Sequence, residues 1–108
     1  MQLRKTYRKL SPEMLYDEIR DLVEKHGMKT ANNRLQTYGV PSGATQSRVV
    51  ASIVTSKGEP CGALHIVGSA GGDTRLTVEI DDNAIAAEAV ESITSDIDFM
   101  LGQFEVRW

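Results

Sequence analysis

The chain has 108 residues, of which 41% are hydrophobic and 25% charged, and its formal net charge at pH 7 is −3. A chain of this size and usage buries enough surface for the core of one globular domain, which excludes a disordered or low-complexity protein. The single cysteine, Cys61, excludes an internal disulfide, and no apolar run approaches the roughly 18 residues of a membrane span, so we predict a cytoplasmic protein without membrane segments.

Charge is divided unevenly along the chain. Residues 1–80 contain eleven of the twelve Lys and Arg residues and eight acids, whereas residues 81–108 contain one arginine and seven acids. A basic N-terminal part followed by an acidic C-terminal part is typical of a nucleic-acid-binding protein that also carries a dimerisation helix. Residues 1–10 are predicted to form a basic N-terminal arm.

The first predicted helix covers residues 12–26. Ser11 provides a capping hydroxyl, Pro12 has a φ angle already close to helical values, and Gly27 provides the stop. One face of this helix carries, at helical spacing, Leu15, Ile19, Leu22, Val23 and His26.

Residues 30–38 are predicted as a second, short helix. Their apolar residues align at i, i+4 and i+7, and Asn32 and Asn33 are poor strand formers. Gly39 can adopt the left-handed conformation that ends helices, and Pro41 prevents simple continuation.

The β-branched segment 44–56 has two interpretations. As a helix, it would place Val49, Val50, Ile53 and Val54 on one face and Thr45, Arg48, Ser52 and Thr55 on the other. As a fully buried strand, it would tolerate apolar residues on both faces.

The last third of the chain is predicted as a hairpin and a long helix. Residues 61–67 and 75–80 form two strands around a glycine-rich turn, because apolar and polar residues alternate in the second of them. Residues 83–101 follow as a helix with an apolar stripe of five turns. Such a stripe either pairs with a second copy or packs within the monomer, and both interpretations remain open.

This order of elements is that of a winged helix-turn-helix domain. The run from Thr30 to Gly39-Val40, followed by Ala44-Thr45-Gln46-Ser47-Arg48-Val49, resembles the helix-turn-helix of bacterial repressors. Lys57-Gly58 before a hairpin resembles the end of the recognition helix in winged regulators. The resemblance covers about fifty residues, through Ile80. It implies a mainly α fold with a β-hairpin, in which a winged domain over 11–81 is followed by a C-terminal helix and tail over 82–108.

The function implied by this resemblance is that of a dimeric transcriptional regulator that binds duplex DNA. Helix 44–56 would read the major groove, and helix 83–101 would join two copies. The implied DNA contacts are Arg48 on the bases, Thr45 and Ser52 on bases or phosphates, and Thr55 farther along the same helix face. Arg34, Lys57 and Arg75 would hold phosphates, and Arg4, Lys5, Arg8 and Lys9 would form the arm.

Catalysis and metal binding have little support in the sequence. On a strand, Cys61 and His65 would lie about 13 Å apart, too far for a nucleophile and its base. Two histidines and one cysteine lack any paired metal-ligand spacing. We therefore predict neither an enzyme nor a cofactor.

An alternative fold remains open at this point. Residues 28–38, 46–56, 61–68 and 74–80 can form an antiparallel four-stranded sheet under two helices, an α+β two-layer sandwich. Such a domain would bind a small ligand or another protein and no nucleic acid. A third possibility keeps the winged fold and uses it for protein contacts.

Overall fold

The computed structural model describes residues 2–39, 45–68, 73–81 and 87–106. In these residues the elements are β1 (Gln2–Arg8), α1 (Pro12–Lys25), β2 (Met28–Gly39), β3 (Thr45–Thr55), β4 (Pro60–Gly68), β5 (Asp73–Ile80), α2 (Ala87–Leu101) and a 3-10 turn (Gly102–Phe104). The strands form one antiparallel sheet in the order β1-β5-β4-β3-β2. Both helices share a hydrophobic core with one face of this sheet.

The prediction of a mainly α winged helix-turn-helix fold is therefore wrong, and the alternative α+β two-layer fold fits. Residues 30–38 and 45–55 form the strands β2 and β3 and not two helices. The predicted turn after Gly39 lies outside the described residues from 40 to 44. Strands β4 and β5 confirm the predicted hairpin, but each also pairs with another strand, so they are not a separate wing.

A β-bulge explains why β2 tolerates two asparagines. The pairing of β2 with β3 is regular up to Ala31 and resumes at Arg34 with a shifted register. Asn32 and Asn33 are the two residues inside this irregularity. A bulge leaves extra residues out of the ladder, so poor strand formers are accepted there without loss of the strand.

Strand β3 lies in the interior of the sheet, between β2 and β4. Val49 and Ile53 are buried toward the helices, whereas Val50 and Val54 belong to the opposite face. The two apolar pairs that suggested a helix stripe are thus split between the two sides of a strand, as the pleat requires.

The N-terminal residues that were predicted as a basic arm form the edge strand β1. Leu3 and Tyr7 point toward the helices together with Lys5, whose Nζ lies 2.9 Å from Glu105 Oε1 and 3.4 Å from Asp98 Oδ1. The hydrogen bond with Glu105 raises the pKa of Lys5, and the ion pairs keep its amine charged at the sheet edge.

Helix α1 confirms the first predicted helix. The Ser11 hydroxyl accepts a hydrogen bond from the Met14 backbone N–H at 3.2 Å, which caps the helix start. Five residues face the core: Leu15, Tyr16, Ile19, Leu22 and Val23. This face is what fixes α1 on the sheet.

Helix α2 buries Ile93, Ile97 and Leu101 in the same core. Part of the apolar stripe that was predicted to pair two copies is thus used within one chain. Residues 82–86, the predicted start of this helix, lie outside the described part. Neither described helix has the length and hydrophobicity to cross a membrane.

Candidate binding face of the sheet

The helices cover one face of the sheet, and the described elements leave the other face open. Residues of alternate position in each strand share this open face, because directly opposite residues of antiparallel strands point the same way. We call this surface the basic face; its residues are Gln2, Arg4, Thr6, Arg8, Asp73, Arg75, Thr77, Glu79, Ala63, His65, Val67, Arg48, Val50, Ser52, Val54, Lys29, Ala31, Arg34 and Gln36.

The strand register arranges these side chains in rows across the sheet. One row consists of Arg4, Thr77, His65, Val50 and Arg34, and the next consists of Thr6, Arg75, Val67, Arg48 and Gln36. Neighbouring strands lie about 4.8 Å apart, so a row spans roughly 19 Å, and adjacent rows lie about 7 Å apart. The arginines therefore form a field and not a single cluster.

The charge on this face is strongly unbalanced. Its six cations are Arg4, Arg8, Lys29, Arg34, Arg48 and Arg75, and none of them forms an ion pair with another described residue. Its two carboxylates are Asp73 and Glu79, and Glu79 Oε1 accepts a hydrogen bond from Gln2 Nε2 at 3.1 Å. The face is thus positive although the chain as a whole is negative.

The helix layer carries the opposite charge. Its exposed acids are Glu13, Asp17, Glu18, Asp21 and Glu24 of α1 and Glu88, Glu91 and Asp98 of α2. Helix α1 contains two basic residues, Arg20 and Lys25. Arg20 lies 3.3 Å from Asp17 and 3.6 Å from Asp21, so its charge is locally balanced. The molecule therefore has a basic side and an acidic side, and such a charge distribution would steer any anionic molecule toward the sheet.

The middle of the basic face contains two polar atoms that lack partners. Arg48 Nε and His65 Nε2 are shielded from solvent, and neither has a hydrogen-bond partner among the described residues. Their strands β3 and β4 are neighbours, and the two residues are diagonal to each other on the same side. Burial lowers the pKa of His65, and the charge of Arg48 lowers it further. Unsatisfied buried groups cost about 1–3 kcal/mol each and call for a physical explanation.

Apolar side chains lie between the cations. Val50 is 39% exposed, Ala63 is exposed, and Val54 and Val67 are half-buried. An apolar centre inside a charged rim is the usual composition of a protein-protein interface.

The structure places six of the predicted DNA-contact residues on this face: Arg4, Arg8, Arg34, Arg48, Ser52 and Arg75. They are brought together by a sheet and not by a recognition helix, wing and arm. A five-stranded sheet is roughly 19 Å wide, whereas the major groove of B-form DNA is ~12 Å wide. This face therefore cannot enter the major groove in the way predicted for a recognition helix.

The other predicted contacts lie elsewhere. Lys5 faces the helices, and Lys9 follows β1 with a φ of 60°. Lys57 lies in the turn after β3, where Thr55 Oγ1 accepts hydrogen bonds from the backbone N–H groups of Lys57 at 3.3 Å and Glu59 at 3.2 Å. Thr45 begins β3, and its side chain lies outside the described part.

Lys29, His65 and Thr77 also lie on this face, and they were not among the predicted contact residues. Residues 75–80 gave a usable signal, since their polar side chains alternate with buried ones. Residues 2–8 gave the same signal in a weaker form, because Lys5 interrupts the apolar side of the strand. No local pattern indicates which strands become neighbours, so the rows were not predictable.

Cys61 is separate from this face. Its side chain is buried, its Sγ lies 3.9 Å from Met28 Sδ, and burial raises the pKa of the thiol. A protonated, inaccessible thiol is a poor nucleophile. The described residues contain no group of three or more His, Cys, Asp or Glu that could hold a metal ion.

Comparison with protein-family models, with curated proteins and with solved structures found no match for this chain.

Proposed function

We propose that this chain is a protein-interaction domain that binds an acidic surface of a partner protein on its basic face. The observation that carries the proposal is the field of six cations on a sheet face that the described helices do not cover. A partner surface with carboxylates around an apolar centre complements it in both charge and polarity.

A protein partner fits this surface better than a nucleic acid. Sheets that bind single strands use aromatic side chains as stacking platforms for the bases. Strand pairing places a single aromatic residue, Tyr38 opposite Gln46, at one end of this face, and the other paired positions of the face include half-buried His65 but no Phe, Tyr or Trp. Duplex DNA binding and pairing of two copies through helix 83–101 stay predictions from the sequence, as does a cytoplasmic location.

A binding assay with a defined acidic probe tests the proposal. Fluorescence anisotropy measures the affinity of a fluorescein-labelled decaglutamate peptide, and a decathymidylate strand and a short DNA duplex serve as competing classes of ligand. We expect the peptide to bind and its affinity to fall with salt, because exposed charges are screened. Tighter binding of either nucleic acid than of the peptide would contradict a protein-interaction domain.

A pair of triple variants locates the binding surface. The first carries Arg4→Gln, Arg48→Gln and Arg75→Gln on the basic face. The matched control carries Arg20→Gln, Lys25→Gln and Lys57→Gln elsewhere, so both lower the net charge by the same amount. We expect the first to lose at least about tenfold in affinity and the control to change little. Equal losses in both would mean that net charge, and not this face, controls binding.

A further inference from the structure

The two unpartnered atoms at the middle of the basic face point to the chemistry of the contact made there. We propose that Arg48 and His65 form an anchoring subsite that takes one carboxylate side chain of the partner protein. This inference rests on the proposed function, and it adds a specific subsite to a surface otherwise defined by its overall charge.

The donor set of Arg48 fits a carboxylate. The guanidinium stays protonated, and its Nε–H and a neighbouring Nη–H point in parallel, so the two oxygens of one carboxylate accept both. Arg48 Nε has no acceptor among the described residues, so this donor is free for a ligand. Because Nε is shielded from solvent, the half-buried Arg48 side chain shifts when the carboxylate binds. A lysine at the same position keeps the charge but loses the fork.

His65 adds a second donor only when it is protonated. In the unbound protein, burial and the charge of Arg48 hold its pKa below the usual value, so the ring is neutral near pH 7. A bound carboxylate between the two residues favours the charged imidazolium, which then donates from Nε2. Binding therefore takes up a proton, and affinity rises as the pH falls.

Other charges near His65 come from both neighbouring strands. Arg48 lies on β3, and Arg75 and Glu79 lie diagonally opposite on β5. Strand β4 contributes no further charged residue to this face. Two strands away in the same row are Arg4 and Arg34. Cations outnumber the single carboxylate, so the surroundings oppose protonation until an anion binds.

The experiment measures decaglutamate affinity between pH 6 and 8 by anisotropy. The wild type is expected to bind more tightly at lower pH, by up to about tenfold per pH unit, which is the limit for one proton. His65→Gln is expected to remove this dependence. The chain has two histidines, and His26→Gln is the matched control that should keep the wild-type dependence.

The bidentate contact of the Arg48 guanidinium is tested with a substitution that keeps the positive charge. Arg48→Lys is expected to weaken binding roughly tenfold, in line with the loss of a charge-assisted hydrogen bond, whereas Arg20→Lys should bind as the wild type does. Circular dichroism checks that each variant is folded. The Arg48 Nε–Hε resonance of the wild type provides a second readout without mutation, and it should shift downfield on peptide binding.

The results separate the two proposals. Absence of peptide binding at every pH contradicts the proposed function itself. Binding that Arg48→Lys leaves unchanged, a pH dependence that survives in His65→Gln, or an unmoved Arg48 resonance would overturn the anchoring subsite alone.

Discussion

The two faces of the sheet are built from the same five strands but obey different physical demands. Toward the helices, Leu64, Ile66, Leu76 and Val78 are at most 1% exposed. On the other side, arginine recurs in neighbouring rows at positions that the described helices leave open. Removal of apolar area from water stabilises the first face, whereas charge of one sign on the second adds nothing to folding. The covered face therefore maintains the fold, and the basic face is the surface to which the proposed function assigns binding.

The largest expected contrast between the faces lies within strand β3. Ile53→Ala removes a side chain that is 0% exposed and should destabilise the protein by about 2–5 kcal/mol through lost burial and the cavity left behind. Val50→Ala, on the basic face, should cost about 1 kcal/mol or less. Urea unfolding followed by circular dichroism measures both free energies. Similar losses in the two variants would mean that the basic face is packed and not open.

A second contrast uses two threonines of strand β5. Thr74 is 2% exposed, and its Oγ1 donates a hydrogen bond to the Leu10 carbonyl oxygen at 2.5 Å. Thr74→Val leaves that carbonyl without its donor and should cost about 1–3 kcal/mol. Thr77→Val on the basic face should change the free energy of unfolding by only about 0.5 kcal/mol. Urea unfolding measures the change in free energy for both variants. A larger loss of stability in Thr77→Val than in Thr74→Val would contradict the assignment of the two faces.

The smallest expected effect concerns the contact between the two helices. His26 Nε2 lies 3.0 Å from Asp96 Oδ2, and Lys25 Nζ lies 3.7 Å from the same oxygen. The hydrogen bond with His26, followed by the charges of Lys25 and His26, holds the pKa of Asp96 below its usual value.

A carboxyl group with a lowered pKa in the folded state adds stability above its unfolded pKa, which is about 3.9 for aspartate, and this stability is lost as the pH falls through the folded value. Asp96→Asn should therefore lower the melting temperature slightly at pH 6, and the difference from the wild type should shrink as the pH falls below the unfolded pKa of aspartate. A difference that stays constant as the pH falls below this pKa would mean that packing, and not this charge, is responsible.

Local patterns in the sequence predicted part of this structure. Helix α1 was predictable because Ser11, Pro12 and an apolar stripe agree, and β5 was predictable because its two sides alternate cleanly. The predictions failed at β2 and β3, where a helix spacing and a strand spacing both fit the apolar residues. There the choice is made by pairing with neighbouring strands, a contact between residues that are distant in sequence.

The basic face, too, could be predicted only in part from local sequence patterns. The cations were visible in the sequence as the basic stretch over residues 1–80, but their assembly into one surface depends on β1 pairing with β5, which is distant from it in the sequence. Arg48 was selected as a recognition residue on the assumption of a helix. Its position beside His65 follows instead from the register of β3 and β4, which no pattern within either strand specifies.

The most direct test of the account is a map of where an acidic probe binds. Amide chemical shifts of the uniformly labelled protein, recorded during titration with decaglutamate, report binding residue by residue. The account predicts shifts concentrated in the strands of the basic face, strongest around Arg48, His65 and Arg75, with helices α1 and α2 unchanged. Shifts confined to the helices, or no shifts at peptide excess, would contradict it.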